Sequence, residues 1–234
     1  MSGAQARMLA LAGTHYFRYI RSMETQTKDR NMAIPTHVLK QLGHPSGLTG
    51  RIILRMLNRA NSNMNAHALA ELDVRDHDNV LEVGFGGGAL MSAILAAKTK
   101  VRNTGCDISK LAVRSAQRRF SKEKRARIDQ ISGENLPYSD AQFTKVVGVN
   151  VIYFWQDILE MLHEISRVLV VGGRVVICYS EDGPQEGSEF KVSEIESQLR
   201  AAGFVDLRST PVTTSETGNH YCTAGFKPDT IPAE

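Results

Sequence analysis

From Asn79 onward the chain alternates two hydrophobic rhythms. Short apolar runs rich in β-branched residues fall at about Asn79 to Gly84, Val101 to Asp107, Ala126 to Ser132, Thr144 to Asn150, Gly173 to Tyr179, Val205 to Thr210 and His220 to Phe226, which predicts strands. Between them, apolar positions three and four residues apart predict helices at about Ala89 to Lys98, Lys110 to Ser121, Trp155 to Leu169 and Glu189 to Ala202. Alternating βα units imply an α/β fold, a parallel sheet with right-handed crossovers and helices on both faces. The last two strands have no helix between them. They must form a hairpin, so one strand near the edge runs antiparallel to the rest.

Before Asn79 the pattern is helical and looser. The stretch "GLTGRIILRMLNRAN" puts Ile52, Ile53, Met56 and Leu57 on one face and Arg51, Arg55 and Arg59 on the other. "GHPSG" breaks whatever precedes it. Residues 1–75 therefore read as a helical cap or substrate lid on the same globule, and residues 76–234 as the main domain, because the cap's apolar content could hardly support a separate core.

Composition adds limits. A chain of 234 residues, 42% hydrophobic and 23% charged, suits one globular α/β unit. Cys106, Cys178 and Cys222 are widely spaced and form no CxxC pair, which argues against a disulfide framework or structural zinc and for a reducing, cytoplasmic setting. No run approaches the roughly 20 apolar residues that cross a bilayer. The first 23 residues carry Arg7, Arg18 and Arg21 and no acid, so organelle targeting or contact with a membrane surface stays open as the alternative.

The net charge of +3 hides an asymmetry, since residues 1–60 hold nine Arg and Lys against two acids. A second basic cluster includes Arg114, Arg118, Arg119, Lys122, Lys124, Arg125 and Arg127. It reads as a solvated helix face with its trailing loop, the alternative being an anionic partner such as lipid headgroups or nucleic acid.

"NVLEVGFGGGALMSA" carries the first candidate chemistry. A strand, a glycine turn and a helix start bring backbone N–H groups and the positive helix end to an anionic or polar ligand. Gly84, Gly86 and Ala89 satisfy the dinucleotide spacing as well as that of an adenosyl-cofactor loop. Asp107, 23 residues beyond Gly84, can accept from both hydroxyls of a ribose in either case. Glu82 favours the second ligand class, because its carboxylate suits an ammonium group better than a pyrophosphate. None of the six tyrosines begins the Tyr-x-x-x-Lys signature of short-chain dehydrogenases.

"VLEVGFGGG", "GCDIS", "GENLPYSDAQFTKVVGVNVIYFWQD" and "HEISRVLVVGGRVVI" together resemble the class I S-adenosylmethionine-dependent methyltransferases, in the branch that includes ubiquinone and menaquinone biosynthesis enzymes and many small-molecule methyltransferases. The resemblance covers about Val80 to Phe226. It implies a Rossmann-like seven-stranded sheet in the order 3-2-1-4-5-7-6 with strand 7 antiparallel. It also implies S-adenosylmethionine as co-substrate and no metal. Carried over, Glu82, Gly84, Phe85 and Gly86 would cradle the methionine part, Asp107 the ribose, Ile108, Gly133 and Glu134 the adenine, and Asn150 would sit near the methionine end. Where relatives read Asp-Ala-Glu before the "LP" motif, this chain has Ser132, Gly133 and Glu134, which leaves open whether Ser132 or Glu134 replaces the usual aspartate.

The absences narrow the acceptor. The segment after the fourth strand is Asn-Val-Ile-Tyr, without the paired prolines that serve exocyclic amines of bases and without a cysteine for attack on a pyrimidine. Paired glutamates for a guanidinium and clustered acids for a catechol-orienting cation are also missing. Methyl transfer to O, N or C of a small, apolar or lipid-like acceptor under the N-terminal cap is the expectation; the less favoured alternatives are a nucleic-acid or membrane-lipid methyltransferase using the basic cap, or a non-catalytic S-adenosylmethionine-binding protein. Tyr153, Glu181, His15 and His44 are the candidate catalytic residues, with His220, Tyr16, His37 and Tyr179 also near the expected site. His163 reads as a surface residue of a helix, and His67 and His77 as flanking the cap linker.

Overall fold

The computed structural model describes residues 61–131, 135–182, 189–212 and 219–229. In chain order the elements are α1 (Ser62–Leu72), β1 (Asn79–Val83), α2 (Ala89–Ala97), β2 (Arg102–Asp107), α3 (Lys110–Arg119) and β3 (Ala126–Gln130). They are followed by β4 (Phe143–Val149), a 3-10 turn (Ile152–Phe154), α4 (Ile158–Val168), β5 (Leu169–Ser180), α5 (Val192–Ala201), β6 (Val205–Pro211) and β7 (His220–Phe226). The strands form one sheet in the order β3-β2-β1-β4-β5-β7-β6. The first five run parallel, and β7 pairs antiparallel with both β5 and β6, as the helix-free hairpin requires.

Strand alternation sorts the core onto two faces. Leu81, Val83, Val146, Val175, Ile177 and Tyr179 point to the side covered by α4 and α5, where they meet Leu162, Ile165, Ile195 and Leu199. Val80, Val147, Val176 and Cys178 point to the other side and meet Met64, Ala68 and Leu72 of α1 and Leu90, Met91 and Ile94 of α2. Both α1 and α2 are short of charge on their sheet-facing side. The segment of the expected cap from Ser62 to Leu72 thus forms part of the layer on the sheet; residues 1–60, with the "GHPSG" break and His15, Tyr16, His37 and His44, lie outside the described residues.

The boundaries shift where local chemistry overrides periodicity. The helix expected from Trp155 starts at Ile158, because Trp155 is extended at φ −77, ψ 135 and Asp157 takes the cap, its side chain accepting from the Glu160 N–H at 2.9 Å. The last helix starts at Val192, not at Glu189, since Glu189 bridges to Asp182 and the Phe190 N–H donates to the Glu181 carbonyl. The fifth strand begins at Leu169, paired with Phe143, and then bulges through Val170 to Gly173 before Arg174 meets Lys145. Gly172 turns that bulge at φ +70.

One expectation is overturned. Cys178 and Cys222 form a disulfide across 44 residues of sequence. Spacing conceals the pair, but β5 and β7 are antiparallel neighbours and set Cys178 opposite Cys222. Cys106 is free and buried in β2. Among the described residues no helix is long and apolar enough to cross a membrane.

Candidate active site

The carboxyl ends of the parallel strands β1, β2, β4 and β5 lie along one edge of the sheet, and the loop after β1 turns there through left-handed glycines at 84, 86 and 88. Gly84 sits at φ +70, and a Cβ on it would stand 2.5 Å from Val151 Cγ2, so this glycine is demanded by the chain's own packing. Gly86 differs. At φ +52 its backbone is also left-handed, but a Cβ there would meet nothing within 4 Å. It therefore borders open space, as a residue over which a ligand lies must. Phe85, between them, turns its ring away into a cluster with Ala112, Val113 and Ala116 and is 4% exposed, so the loop can offer a ligand only the backbone of that residue.

Glu82 lies one pleat before this loop, on the face shared with Val80 and Val147. Its side chain is buried and its Oε2 makes no hydrogen bond. Burial pushes the carboxyl up to about 8, with Asp107 repelling its charge and the neighbouring Asn103 amide working in the opposite direction. A buried carboxyl beside a glycine loop, with an oxygen that makes no hydrogen bond, has the chemistry to receive a cationic group once it ionises.

Asp107 ends β2 and is held by the backbone: the Gly86 N–H donates to Oδ2 and the Ser109 N–H to Oδ1, each at 2.8 Å. Those bonds orient the carboxylate, whose two oxygens carry about four acceptor positions. Ser109 then caps α3 by accepting from the Ala112 N–H. Between Asp107 and that cap, Ile108 leaves 43% of its surface exposed, an apolar plate next to a carboxylate. Gly133 and Glu134, with Ser132, lie outside the described residues.

At the end of β4, Asn150 adopts φ +53. Its amide donates to Asn61 Oδ1 at 3.0 Å and to Met64 Sδ at 3.3 Å, while its Oδ1 accepts from the Tyr153 hydroxyl at 3.1 Å. The Tyr153 oxygen also meets the backbone N–H and carbonyl of Ser180 at the end of β5. Burial pushes this phenol up, so it stays protonated. Its ring packs edge-on against Phe190 at 4.9 Å. Tyr153 thus ties β4, β5 and the segment before α5 together. Asn61 and Met64, at the start of α1, complete the group; nothing in their local sequence marks them, because only the docking of α1 brings them to Asn150.

A second fastening holds the "NLPY" loop. Arg167 of α4 donates to the carbonyls of Leu136 and Tyr138, to Asp140 and, in two-pronged fashion, to Glu164, all between 2.7 and 2.8 Å. Glu164 also accepts from the Leu136 N–H at 3.0 Å. Tyr138, farther along, donates to Asp129 of β3. The "HEISR" segment of α4 and the loop beyond β3 are therefore one unit.

Of the remaining expected residues, Glu181 stands at the end of β5, its carboxylate accepting from the Asn219 amide at 2.9 Å. Tyr179 does not line the site as its position near the strand end suggests: it is fully buried, faces α5 and bonds Thr223. His220 begins β7 opposite Ser180 and is buried. His163 is exposed on α4, His77 is exposed at φ +73, and His67 lies on α1. Among the described residues, no three His, Cys, Asp or Glu side chains come together as a metal site.

These features fit an adenosyl cofactor with an ammonium group: an unused buried carboxylate oxygen at Glu82, open backbone at Gly86, an oriented carboxylate at Asp107 and an exposed apolar side chain at Ile108. Comparison with known proteins agrees. Residues 81–177 match the family described as a methyltransferase domain. The uncharacterised methyltransferase YdaC of Bacillus subtilis is 31% identical over 151 residues, covering 63% of this chain and 82% of that protein. A demethylmenaquinone methyltransferase of Tropheryma whipplei is 33% identical over 107 residues, which is 46% of this chain and 44% of that protein. The chain therefore spans most of the first relative and under half of the second. A solved SAM-dependent methyltransferase from Aquifex aeolicus shares the fold, with a TM-score of 0.64 at 17% identity over 84% of this chain and 100% of that one. By the identity it shares with YdaC across most of that protein, and by the matching sheet, this chain belongs to the class I S-adenosylmethionine-dependent methyltransferases.

Proposed function

We propose that the enzyme transfers its methyl group by in-line displacement to O, N or C of a small apolar or lipid-like molecule, bound above the carboxyl ends of β4 and β5. The observation that carries this reading is the turn after Asn150. Val151, Ile152, Tyr153, Phe154 and Trp155 follow one another without a charge, and Phe154 keeps 51% of its surface exposed. An apolar acceptor would cover that ring. The relative from Tropheryma whipplei, named for a quinone substrate, fits the same chemistry.

S-adenosylmethionine supplies an activated methyl group on a sulfonium centre. The chain's work is then to bind, orient and exclude water. Glu82 would face the ammonium group, the Gly84 to Gly86 backbone the methionine part, Asp107 the ribose hydroxyls and Ile108 the adenine, with Gly133 and Glu134 at its edge and Asn150 beyond the methionine end. Tyr153 positions Asn150 and β5. Where the acceptor has a proton to lose, Glu181 at the mouth of β5, or His15 or His44 from the cap, would take it.

The test is incubation with methyl-labelled S-adenosylmethionine and a fractionated cell extract. Label is expected in a small molecule that partitions into organic solvent. Label confined to nucleic acid or protein would overturn the reading.

One observation favours a second acceptor class. Arg114 and Arg118 of α3 and the following Lys122 and Lys124 are exposed together. An anionic polymer or lipid surface bound there would show steep loss of affinity with salt.

A further inference from the structure

The unsatisfied atoms beside the glycine loop belong to two residues. Asn103 of β2 is fully buried with its amide close enough to the Glu82 carboxyl to favour that group's charged form, although neither Oδ1, Nδ2 nor Glu82 Oε2 makes a hydrogen bond of regular geometry. In the parallel pairing of β1 and β2, Asn103 stands opposite Val80 and Gly105 stands opposite Glu82. The two side chains are therefore one pleat apart on the same face, under α2, with no side chain at Gly105 between them. Met91 and Phe85 fill the space that a Cβ on Gly105 would need. A strand position facing an apolar helix ordinarily takes an apolar residue, and burying an amide there without partners costs about 1–3 kcal/mol. Something must use it.

An amide can do what no apolar or charged side chain can at this place. Its N–H₂ donates to an ionised carboxylate, and its carbonyl accepts from a protonated carboxylic acid. We infer that Asn103 is a positioning residue for Glu82, serving its carboxyl in both forms, so that seating the cofactor's ammonium group against Glu82 expels one proton to solvent. This rests on the reading that Glu82 receives that ammonium group. Before binding, the carboxyl holds its proton and hydrogen-bonds Asn103; on binding, the O–H bond breaks, the proton leaves to solvent, and the carboxylate faces the ammonium on one side and the amide N–H on the other. The groups that bear on the carboxyl's charge are the Asn103 amide and Asp107 at the end of β2, while α2 and β4 present Leu90, Met91 and Val147 and the Cys106 thiol stays neutral. Burial and the charge of Asp107, set against the Asn103 amide, place the carboxyl near 8, so at neutral pH it is largely protonated.

Titration calorimetry of the full-length protein with S-adenosylmethionine, in buffers of different ionisation enthalpy across the neutral and alkaline range, counts the protons released. Close to one is expected at neutral pH, fading as pH rises past about 8. Asn103→Val is expected to bind about tenfold more weakly, with the fade moved up by about one pH unit. Asn103→Thr has the shape of the valine variant but keeps a donor and acceptor, and is expected to restore both. Wild-type affinity and midpoint in Asn103→Val, or an Asn103→Thr protein no better than the valine one, would overturn the inference. Glu82→Gln separates the two layers. Unchanged affinity in that variant removes the reading of Glu82 itself, whereas loss of affinity and of proton release in Glu82→Gln, beside a wild-type Asn103→Val, removes Asn103 alone. Should either Asn103 variant bind too weakly to titrate, the pH dependence of its thermal stability without cofactor reports the same carboxyl: the valine variant's window should end higher than the threonine variant's, and coincident windows overturn the inference.

Discussion

A buried Glu82 makes the protein's stability depend on pH in a direction opposite to that of most carboxylates. Its folded value, about 8, lies above the ordinary 4.5. Between those values the folded state binds more protons than the unfolded one, so the contribution is fully present below about 4.5 and is lost as pH rises through about 8. Glu82→Gln removes that loss. Thermal denaturation without cofactor should therefore show the variant gaining on the parent, by a few kcal/mol on the usual conversion of shift to energy, as pH climbs through that window; parallel curves would mean that the carboxyl titrates normally. The two glycines of the loop divide folding from binding in the same way. A valine at Gly84 collides with Val151, whereas one at Gly86 meets only its left-handed backbone, a cost of about 1–2 kcal/mol. Gly86→Val should stay folded by circular dichroism while its affinity for S-adenosylmethionine collapses, and full affinity would show that no ligand passes over Gly86. Asp107→Ala is expected to lose roughly ten- to a hundredfold in the same binding assay, since it gives up both the oriented acceptor and its hold on Gly86; unchanged affinity would sink the ribose assignment.

Among the elements, α4 is where a surface-looking helix turns out to organise the site. Glu164 and Arg167 are visible in the sequence as an i, i+3 pair, which by itself is worth only a few tenths of a kcal/mol. What cannot be seen there is that the same guanidinium holds the carbonyls of Leu136 and Tyr138, because those bonds exist only once the loop after β3 has folded back over α4. Two carbonyls and two carboxylates on one half-buried side chain should make Arg167→Ala costly, about 2 kcal/mol after allowance for its solvent exposure, measured by urea unfolding. A loss below a few tenths would reduce the clamp to an ordinary surface pair. The positions of strands and helices were legible for a related reason. Each reads from its own hydrophobic rhythm, and the rhythm fails only where a local competitor wins: the Asp157 cap that delays α4, the Phe190 bond to Glu181 that delays α5, and the bulge before Arg174 that hides the first part of β5.

At the scale of the molecule, sheet order and the antiparallel last strand follow from alternation plus one missing helix, and the proposed cofactor seat from Glu82, Gly86 and Asp107 at fixed offsets around a single turn. Asn103 and the pairing of Cys178 with Cys222 follow from register, and Asn61 from the docking of α1, none of which spacing reveals. Register is what sets Cys178 against Cys222 in the middle of the sheet's antiparallel part. Closing a loop of 44 residues removes unfolded-state entropy worth about 4 kcal/mol in the chain-entropy account. Urea unfolding with and without dithiothreitol should accordingly show a lower midpoint for the reduced protein, and Cys178→Ala with Cys222→Ala should abolish that difference. Alkylation under denaturing conditions checks the bond directly, expecting one reactive thiol of the three cysteines without reductant and all three with it. The free one, Cys106, has its thiol pushed up to about 12 by burial, so in the native protein it should resist alkylation in either condition. Coincident unfolding midpoints with three reactive thiols would mean that β5 and β7 are held by packing alone. The consequence reaches the site, since the Cys178 carbonyl accepts from the Asn150 N–H at 2.8 Å: if the bond steadies this end of β5, reduction should weaken binding of S-adenosylmethionine as well as lowering the midpoint, and the two losses should disappear together in the double variant.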